Sequence, residues 1–317
     1  AIPGQYPFAD KSYLLENRAG QFVDVSSTYL ENISGKRMIS DFEFCDLNKD
    51  GQTDLVLVGN WENIAVFTFN ENRLELLKSF EHTAGWWNSL LVEDLDNDGN
   101  LDIVVGNLGK NNKFHPTKEK PLHIYCNDFD QNGSYDIVLS KEYKSQLVPV
   151  RGRQCSSEQM PFIKERFPTY KAFANASLED IYGEQLQEGV HKIMDNPNSI
   201  ILWNKGNDSF DIEQLPIEAQ FSPINSIVCF DIDNDGKKDL LVGGNIFDTE
   251  VETNAYDAGY GLLLKNNGKR MFKTIKLIES GIFNPLNNRD IDQVLLVNRP
   301  TFIFTNNNSD IILYSQN

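Results

Sequence analysis

The sequence predicts an all-β fold: a β-propeller of about five blades that carries a small α-helical insertion. One observation is an acidic segment of the form Asp-x-Asp-x-Asp-Gly-x-x-Asp, with Asn at some Asp positions, which occurs four times in the 317 residues. Another is that each copy lies between two short, β-branched apolar runs, which is typical of two strands joined by a tight loop. Repetition of such a unit indicates a blade architecture.

The four acidic segments span residues 46–54, 94–102, 128–136 and 231–239, and their starting points are 48, 34 and 103 residues apart. The first interval suits a four-stranded blade of about 40–50 residues. The second interval is short, so we expect that blade to lack its outer strands, and the third interval contains an insertion. In each blade, the acidic loop is expected to join the first two strands.

A hairpin follows the first acidic loop: apolar runs at 64–69 and 74–77 flank a turn at 70–72. Alternating apolar residues bounded by Asn favour strands over helices here. The first blade therefore has the four strands that a complete blade needs.

The two ends of the chain each predict part of a blade. At the N-terminus, residues 13–15 and 21–25 resemble an outer hairpin without its inner strands. A unit without an acidic loop lies near the C-terminus, with apolar runs at 294–297, 302–304 and 311–314. We expect the two ends to complete one blade and close the ring; the alternative is that further blades precede this sequence.

One segment departs from the strand pattern. Residues 157–182 predict two short helices broken at Pro168, with Thr169 as the N-cap of the second. We therefore expect a single propeller domain over residues 1–317, with a helical insertion at 141–198.

The acidic segments have the spacing of a calcium loop. Ca²⁺ takes six to eight oxygen ligands, and side chains at positions 1, 3, 5, 7 and 9 of a tight loop converge on one point. An EF-hand needs a bidentate Glu at position 12, where this chain has strand residues, namely Leu57, Val105, Leu139 and Val242. The alternative is four plain acidic turns, but fourteen carboxylates in register would then repel one another without compensation.

The sequence thus predicts about four Ca²⁺ ions, which would move the formal net charge from −17 to about −9. Loops with Asn at position 3 or 5 have fewer carboxylates and should bind more weakly. The candidate metal ligands are Asp46, Asn48, Asp50, Gln52, Asp54, Asp94, Asp96, Asp98, Asn100, Asp102, Asp128, Asp130, Asn132, Ser134, Asp136, Asp231, Asp233, Asp235, Lys237 and Asp239.

Charge and hydropathy exclude several classes of partner. The chain has 29 Lys+Arg against 46 Asp+Glu, and no basic stripe, so we expect no nucleic-acid partner. No apolar run reaches the length of a membrane span, so this chain should not insert into a membrane. The four cysteines have no paired spacing and are expected to be free, buried thiols.

The acidic segment followed by an apolar strand resembles the FG-GAP/VCBS repeat of integrin-type β-propellers. The chain is also similar to a narrower group of VCBS-repeat proteins, related to the ASPIC/UnbV and cartilage-acidic-protein families and common in Bacteroidota. The segments that carry this second resemblance are 85–89, 105–109, 127–130, 159–162, 166–170 and 257–261. Members are usually exported, and this resemblance implies an extracellular or outer-membrane surface location, with an export signal removed or outside this sequence.

These observations favour a non-enzymatic module that binds a protein or glycan at the cell surface. Exposed aromatic residues such as Trp86, Trp87, Tyr256 and Tyr260 are candidates for stacking on sugars, although packing within a blade is the favoured interpretation of the Trp pair. We find no motif of a catalytic site and predict no catalytic residues.

Two other functions stay open, as does the oligomeric state. One is a polysaccharide lyase or hydrolase, in which converging acid–base groups would act. Its candidate residues are His115, His123, His191, Arg151, Arg153, Glu158 and the nucleophile Cys155. The other is a structural scaffold domain of a larger surface protein.

Overall fold

The computed structural model describes residues 2, 5–70, 73–250 and 253–315, most of them in antiparallel β-sheets. The strands are β1 Leu15–Arg18, β2 Gln21–Asp24, β3 Ile39–Cys45, β4 Asp54–Glu62, β5 Ala65–Asn70, β6 Arg73–Ser79, β7 Gly85–Trp86, β8 Ser89–Glu93, β9 Asp102–Gly106, β10 Leu122–Asn127, β11 Asp136–Tyr143, β12 Gln146–Pro149, β13 Val190–Met194, β14 Ile200–Asn204, β15 Phe210–Gln214, β16 Ser226–Phe230, β17 Asp239–Gly243, β18 Leu262–Asn266, β19 Phe272–Ile275, β20 Asn288–Leu296, β21 Arg299–Asn306 and β22 Ile312–Ser315.

The helices are short. They are α1 Ser26–Tyr29, α2 Arg153–Gln159, α3 Phe162–Arg166, α4 Tyr170–Ala174, α5 Leu178–Tyr182 and α6 Leu277–Ser280, with 3₁₀ turns at Gly183–Gln187 and Ile217–Gln220. No helix in the described part of the chain is long and apolar enough to cross a bilayer. The four cysteines are free, and Cys126 is the buried one.

The chain forms two compact units. The first unit comprises residues 1–38, 81–84 and 116–196, and the second comprises 39–80, 85–115 and 197–317.

The second unit contains three four-stranded sheets with the same construction. Their strand orders are β3-β4-β5-β6, β8-β9-β14-β15 and β16-β17-β18-β19, and β7 pairs with β4. In each sheet an acidic loop joins the first two strands, as the sequence predicts. A fourth sheet, β20-β21-β22, has no acidic loop, which also agrees with the prediction. Residues 71 and 72 of the predicted turn at 70–72 lie outside the described residues, but β5 and β6 pair on either side of it.

The second sheet corrects one expectation. It does not lack its outer strands, because β14 pairs with β9, and β15 with β14, after an excursion of about ninety residues. All five residues of β9 are buried, so its backbone groups need partners along both edges. The spacing of the acidic segments could not reveal these outer strands, because β14 and β15 follow the third acidic loop in the sequence.

The four sheets of the second unit pack face to face in chain order. β3 lies beside β8, β8 beside β16, and β16 beside β20. Side chains alternate between neighbouring cores along each strand: Ile103 faces the core shared with the first sheet, whereas Val104 faces the core shared with the third. A further core, which includes Phe302 and Phe304, joins the third and fourth sheets. Strands buried on both faces therefore read as continuous apolar runs.

The first unit has one four-stranded sheet of order β12-β11-β10-β13, whose acidic loop joins β10 and β11. The helices α2–α5 cover this sheet through a core that includes Val138, Ile163 and Ile181. The N-terminal strands β1 and β2 pair with each other. Within the described residues, the two chain ends do not share a sheet, because β20–β22 form their own. The prediction that the two chain ends complete one blade is therefore wrong. No residue of β1 or β2 is buried, so this hairpin does not pack into a blade core.

The helical segment differs in detail from its prediction. Four helices, not two, form between residues 153 and 182, although a break does fall at Pro168, between α3 and α4. Thr169 caps α4 as predicted, since its hydroxyl accepts a hydrogen bond from the Ala172 amide at 3.1 Å. Two further breaks separate α2 from α3 and α4 from α5, and α5 begins with a capping box of Ser177 and Asp180.

Candidate metal centres

The four acidic loops fold in the same way. Position 4 has a left-handed backbone with φ between 57° and 61°, and the glycine at position 6 has φ between 82° and 87°. These residues are Lys49, Asn97, Gln131 and Asn234, followed by Gly51, Gly99, Gly133 and Gly236. Glycine is needed at position 6 because such a φ strains any residue with a Cβ atom. Within loops of this shape, the side chains of positions 1, 3 and 9 come close together in three of the four copies.

A common set of hydrogen bonds holds each loop. The carboxylate at position 1 accepts from the amide of the position 6 glycine at 2.8–3.0 Å. One side-chain oxygen at position 5 accepts from the amide of position 7 at 2.7–2.9 Å. The loops are therefore shaped by their own acidic side chains, as in Asx turns.

Three loops bring carboxylates from positions 1, 3 and 9 within 4.8 Å of one another. These groups are Asp94, Asp96 and Asp102; Asp128, Asp130 and Asp136; and Asp231, Asp233 and Asp239. Oxygens at this separation can share one Ca²⁺, whose ligands lie at about 2.3–2.6 Å from the ion. In the first loop, Asn48 occupies position 3, so that loop offers an amide oxygen between Asp46 and Asp54 instead of a third carboxylate.

The other predicted ligands lie in the same loops but outside these three groups. They are Asp50, Gln52, Asp98, Asn100, Asn132, Ser134, Asp235 and Lys237. The Lys237 ammonium pairs with Asp235 at 2.7 Å, and an ammonium cannot bind a cation. Position 7 could therefore contribute only its backbone carbonyl in the fourth loop.

The carboxylate at position 9 is buried in every loop. Asp54, Asp102 and Asp239 have no exposed surface and Asp136 has 3%. One oxygen of each accepts from the amide of position 2 at 2.9–3.1 Å. Burial raises the pKa of all four carboxyls, and raises the pKa of Asp102 to about 7. A bound cation would favour the charged form that burial disfavours.

Two buried carboxylate oxygens have no hydrogen-bond partner among the described residues, Oδ1 of Asp54 and Oδ1 of Asp94. A buried oxygen without a donor costs free energy, and more when it is charged. These oxygens belong to positions 9 and 1 of the first two acidic loops. The residues present therefore fit a hard divalent cation, and Ca²⁺ would supply the missing positive charge.

Basic side chains from outside the repeats partly neutralise the negative charge of two acidic loops. Arg270 reaches the second loop, with Nε 2.8 Å from Asp96 and Nη2 3.5 Å from Asp98. In the fourth loop Lys265 pairs with Asp233. For the third loop, the described residues include no ion pair to Asp128, Asp130 or Asp136. Sequence reasoning missed these cations because they come from strands and turns outside the repeats.

Two asparagines that support the loops were also missed. The amide of Asn204 donates to Leu47 O in the first loop and Leu101 O in the second, while its backbone N–H binds Asp102. Asn266 does the same one sheet later, donating to Leu95 O and Lys238 O. Asn204 thus links the first and second acidic loops, and Asn266 links the second and fourth, which belong to neighbouring sheets of the second unit. An Asn-x-Gly sequence at 204–206 and 266–268 was the available signal.

The proposed sugar-stacking residues are mostly packed. Trp87 is fully buried, and its indole N–H donates to Glu62 O at 3.2 Å. Trp86 is half-buried, edge-to-face with Trp61 and Phe114, each at 5.3 Å. These contacts favour the packing interpretation of the Trp pair. Tyr256 and Tyr260 are also half-buried.

The candidate acid–base residues fall into small separate groups. His123 and His191 pair across two strands, with Nδ1 and Nε2 3.0 Å apart. Arg151 donates to the Cys155 sulfur at 3.3 Å. Gln154 binds Glu158, Arg153 binds the Phe167 carbonyl oxygen, and His115 lies exposed on the surface.

A cavity of about 320 Å³ lies beside the first acidic loop within the second unit. Amide and carboxylate groups line it together with the ring of Phe210 and the ammonium of Lys78. The lining residues are Leu47, Asn48, Asp50, Val66, Leu77, Lys78, Asn100, Asn204, Gly206, Asn207, Asp208 and Phe210.

Comparison with known proteins gives one match. Residues 46–105 match a family model described as an FG-GAP-like repeat. The matched segment runs from the first acidic loop into β9 and includes the second. No curated protein matches the chain, and the narrower resemblance to the ASPIC/UnbV and cartilage-acidic-protein group, common in Bacteroidota, is not supported.

Proposed function

We propose that this protein is a calcium-stabilised, non-enzymatic binding module with a β-propeller-like arrangement of sheets, acting outside the cell on a protein or glycan. The observation that carries the proposal is the shared fold of four acidic loops, in which buried oxygens of Asp54 and Asp94 have no hydrogen-bond donor within the described part of the chain. The FG-GAP-like match supports it, because such repeats are typical of extracellular proteins.

The role we assign to calcium is structural. Each loop joins the first two strands of a sheet, and its position 9 carboxylate is part of the buried core. An ion that neutralises this carboxylate would stabilise the folded state over the unfolded state, because the unfolded chain has no preformed site. Extracellular modules bind calcium with dissociation constants of about 10⁻⁴–10⁻³ M, which suits loops as open as these.

The cavity beside the first loop is our candidate ligand site. It combines amide and carboxylate groups with one aromatic ring, Phe210, and one cation, Lys78. Ligand pockets commonly combine an apolar wall with a few convergent polar groups, and its volume is at the small end of their range of about 300–1,000 Å³. The lining suits a sugar unit better than an extended apolar ligand.

Calorimetric titration of chelator-stripped protein with CaCl₂ tests the calcium part, with melting temperatures recorded in both states. We expect a stoichiometry near four and a melting temperature raised by several degrees or more, since ligand binding to the folded state adds RT ln(1 + [L]/Kd) to its stability. MgCl₂ is the control, because Mg²⁺ gives up its water reluctantly and should bind more weakly. Absence of both effects would contradict the proposal.

A glycan array probed with the calcium-loaded protein tests the ligand. The matched variants are Lys78→Ala, which removes the cation of the cavity, and Lys269→Ala, an exposed lysine elsewhere in the second unit. We expect glycan binding that Lys78→Ala weakens and Lys269→Ala does not. Chemical change of a bound glycan would instead support the lyase or hydrolase function.

A further inference from the structure

We propose that His123 and His191 form a binding site for a divalent transition metal of the Zn²⁺ or Cu²⁺ class, separate from the acidic loops. His123 lies on β10 and His191 on the neighbouring antiparallel strand β13, at the edge of the sheet of the first unit. Their facing nitrogens, Nδ1 of His123 and Nε2 of His191, are 3.0 Å apart.

This separation is that of two ligands on one ion. Imidazole nitrogens bind Zn²⁺ at about 2.0–2.1 Å, so two of them at an angle of roughly 90–110° lie about 3.0–3.4 Å apart. The rings are nearly parallel, with an interplanar angle of 4°. Without an ion this contact is a hydrogen bond, so a bound metal would take the place of the shared proton, which would move to the outer nitrogen of its own ring.

The surroundings hold the pair in place. The ring of Tyr125 stacks on His191 with centroids 4.2 Å apart, and Tyr125 itself is buried. Tyr125 is also the direct cross-strand partner of His191, which places His123 on the same face of the sheet, two residues along the strand. Ligands whose orientation is fixed before binding lose less entropy when the metal arrives.

A second observation concerns Ser140, the cross-strand partner of His123 on β11. Ser140 is fully buried, and its hydroxyl has no hydrogen-bond partner among the described residues. Direct cross-strand partners project from the same face, so this unsatisfied hydroxyl lies on the same face of the sheet as His123, on the neighbouring strand. A metal-bound water would give it a partner.

The charge state of the pair also suits a metal. Partial burial lowers the pKa of both His123 and His191, and the neighbouring His191 imidazole lowers the pKa of His123 further. Neutral imidazoles offer lone pairs at neutral pH, and they are typical ligands of Zn²⁺, Cu²⁺ and Ni²⁺ but not of Ca²⁺. Because His191 is exposed, the ion would keep open positions for water or for an exchangeable ligand.

Titration of the untagged, calcium-saturated full chain with CuCl₂ tests the site, followed by calorimetry and electron paramagnetic resonance. Saturating calcium occupies the acidic loops, so that copper reports on the histidines. We expect one tight equivalent whose spectrum shows hyperfine coupling to two nitrogens. A spectrum without nitrogen coupling would overturn the proposal, whatever the variants do.

The matched variants are His123→Gln, His191→Gln and, as the control, His115→Gln, which changes an exposed and separate histidine. Either paired variant should weaken copper binding at least tenfold, and the control should leave it unchanged. Equal binding by wild type and both paired variants, or equal loss in the control, would overturn the proposal. Melting temperatures measured in calcium verify that each variant is folded. If a paired variant does not fold, nitrogen coupling in the wild-type copper spectrum tests the proposal by itself.

Discussion

The carboxylate at position 9 of each acidic loop is buried, and burial disfavours its charged form. Asp102 has no exposed surface and accepts two backbone hydrogen bonds, from Leu95 and Asn204, at 3.1 and 2.8 Å. These bonds favour its charged form, but burial outweighs them and raises its pKa to about 7. The residue is therefore poised between a protonated state without a cation and a charged state with one.

This balance predicts an inverted pH dependence for the calcium-free protein. Between about pH 4 and pH 7, folded Asp102 retains a proton that the unfolded chain has lost, so the free energy of unfolding falls as the pH rises through this window. The melting temperature of chelator-treated protein should be lower at pH 8 than at pH 5, measured in about 0.5 M NaCl to screen surface repulsion. Saturating calcium should reduce or reverse the trend.

Asp102→Asn supplies the control, because its side chain does not titrate. It should show a weaker pH dependence than wild type in the calcium-free state. A melting temperature that rises with pH in calcium-free wild type would contradict the role given to this residue.

Asn204 and Asn266, whose side-chain amides each hydrogen-bond two acidic loops, give a second prediction for single residues. Asn266→Ala removes both amide donors and leaves the carbonyl oxygens of Leu95 and Lys238 without them. Buried groups left unpaired in this way cost on the order of 1–3 kcal/mol in the free energy of unfolding, measured by denaturant titration. Asn267→Ala, at the exposed neighbouring position, should change stability by no more than about 0.5 kcal/mol. Equal effects of the two variants would argue against the link.

Elements were predictable from sequence where the deciding pattern is local. The strands on either side of each acidic loop, the break at Pro168 and the cap at Thr169 follow from residue type and short-range spacing. The partners of β9 do not, because β14 is brought to it by tertiary packing over a long separation in sequence. The same holds within the site: the repeats reveal the carboxylates, whereas Arg270 and Asn204 come from other elements.

The turn after β18 competes with calcium for the second loop. Arg270, in this turn, pairs with Asp96 and Asp98 and lies over the Trp203 ring. Arg270→Gln should raise the calcium affinity of this loop about two- to fivefold, because exposed ion pairs contribute roughly 0.2–1 kcal/mol. It should also lower the melting temperature of the calcium-free protein slightly.

Calorimetric calcium titration measures this effect, and Lys269→Gln is the charge-matched control on the same turn. Lys269 is exposed, so its loss tests the general effect of net charge alone. A gain in affinity as large in Lys269→Gln as in Arg270→Gln would show that no specific competition exists.

At the scale of the whole molecule, the chain leaves the second unit and returns to it at neighbouring points. Gly109 donates its amide proton to the Pro197 carbonyl oxygen at 3.0 Å, and Asn107 binds Asn198 and Ser199. The residues between these points belong mainly to the first unit, which has its own sheet and core. The second unit thus resembles a host domain interrupted by an insertion, an arrangement tolerated when the flanking ends lie close together.

This arrangement predicts that the second unit folds alone. A variant with residues 39–109 joined to 197–317 by a short Gly-Ser linker keeps all four of its sheets and loses the third acidic loop with the first unit. We expect cooperative thermal unfolding and a calcium stoichiometry lower by one than that of the full chain, measured by circular dichroism and calorimetry. A matched variant that starts at residue 39 but retains 110–196 separates the effect of the N-terminal segment. If both variants lack cooperative unfolding even in calcium, the two units form a single folding unit and residues 110–196 are not an independent insertion.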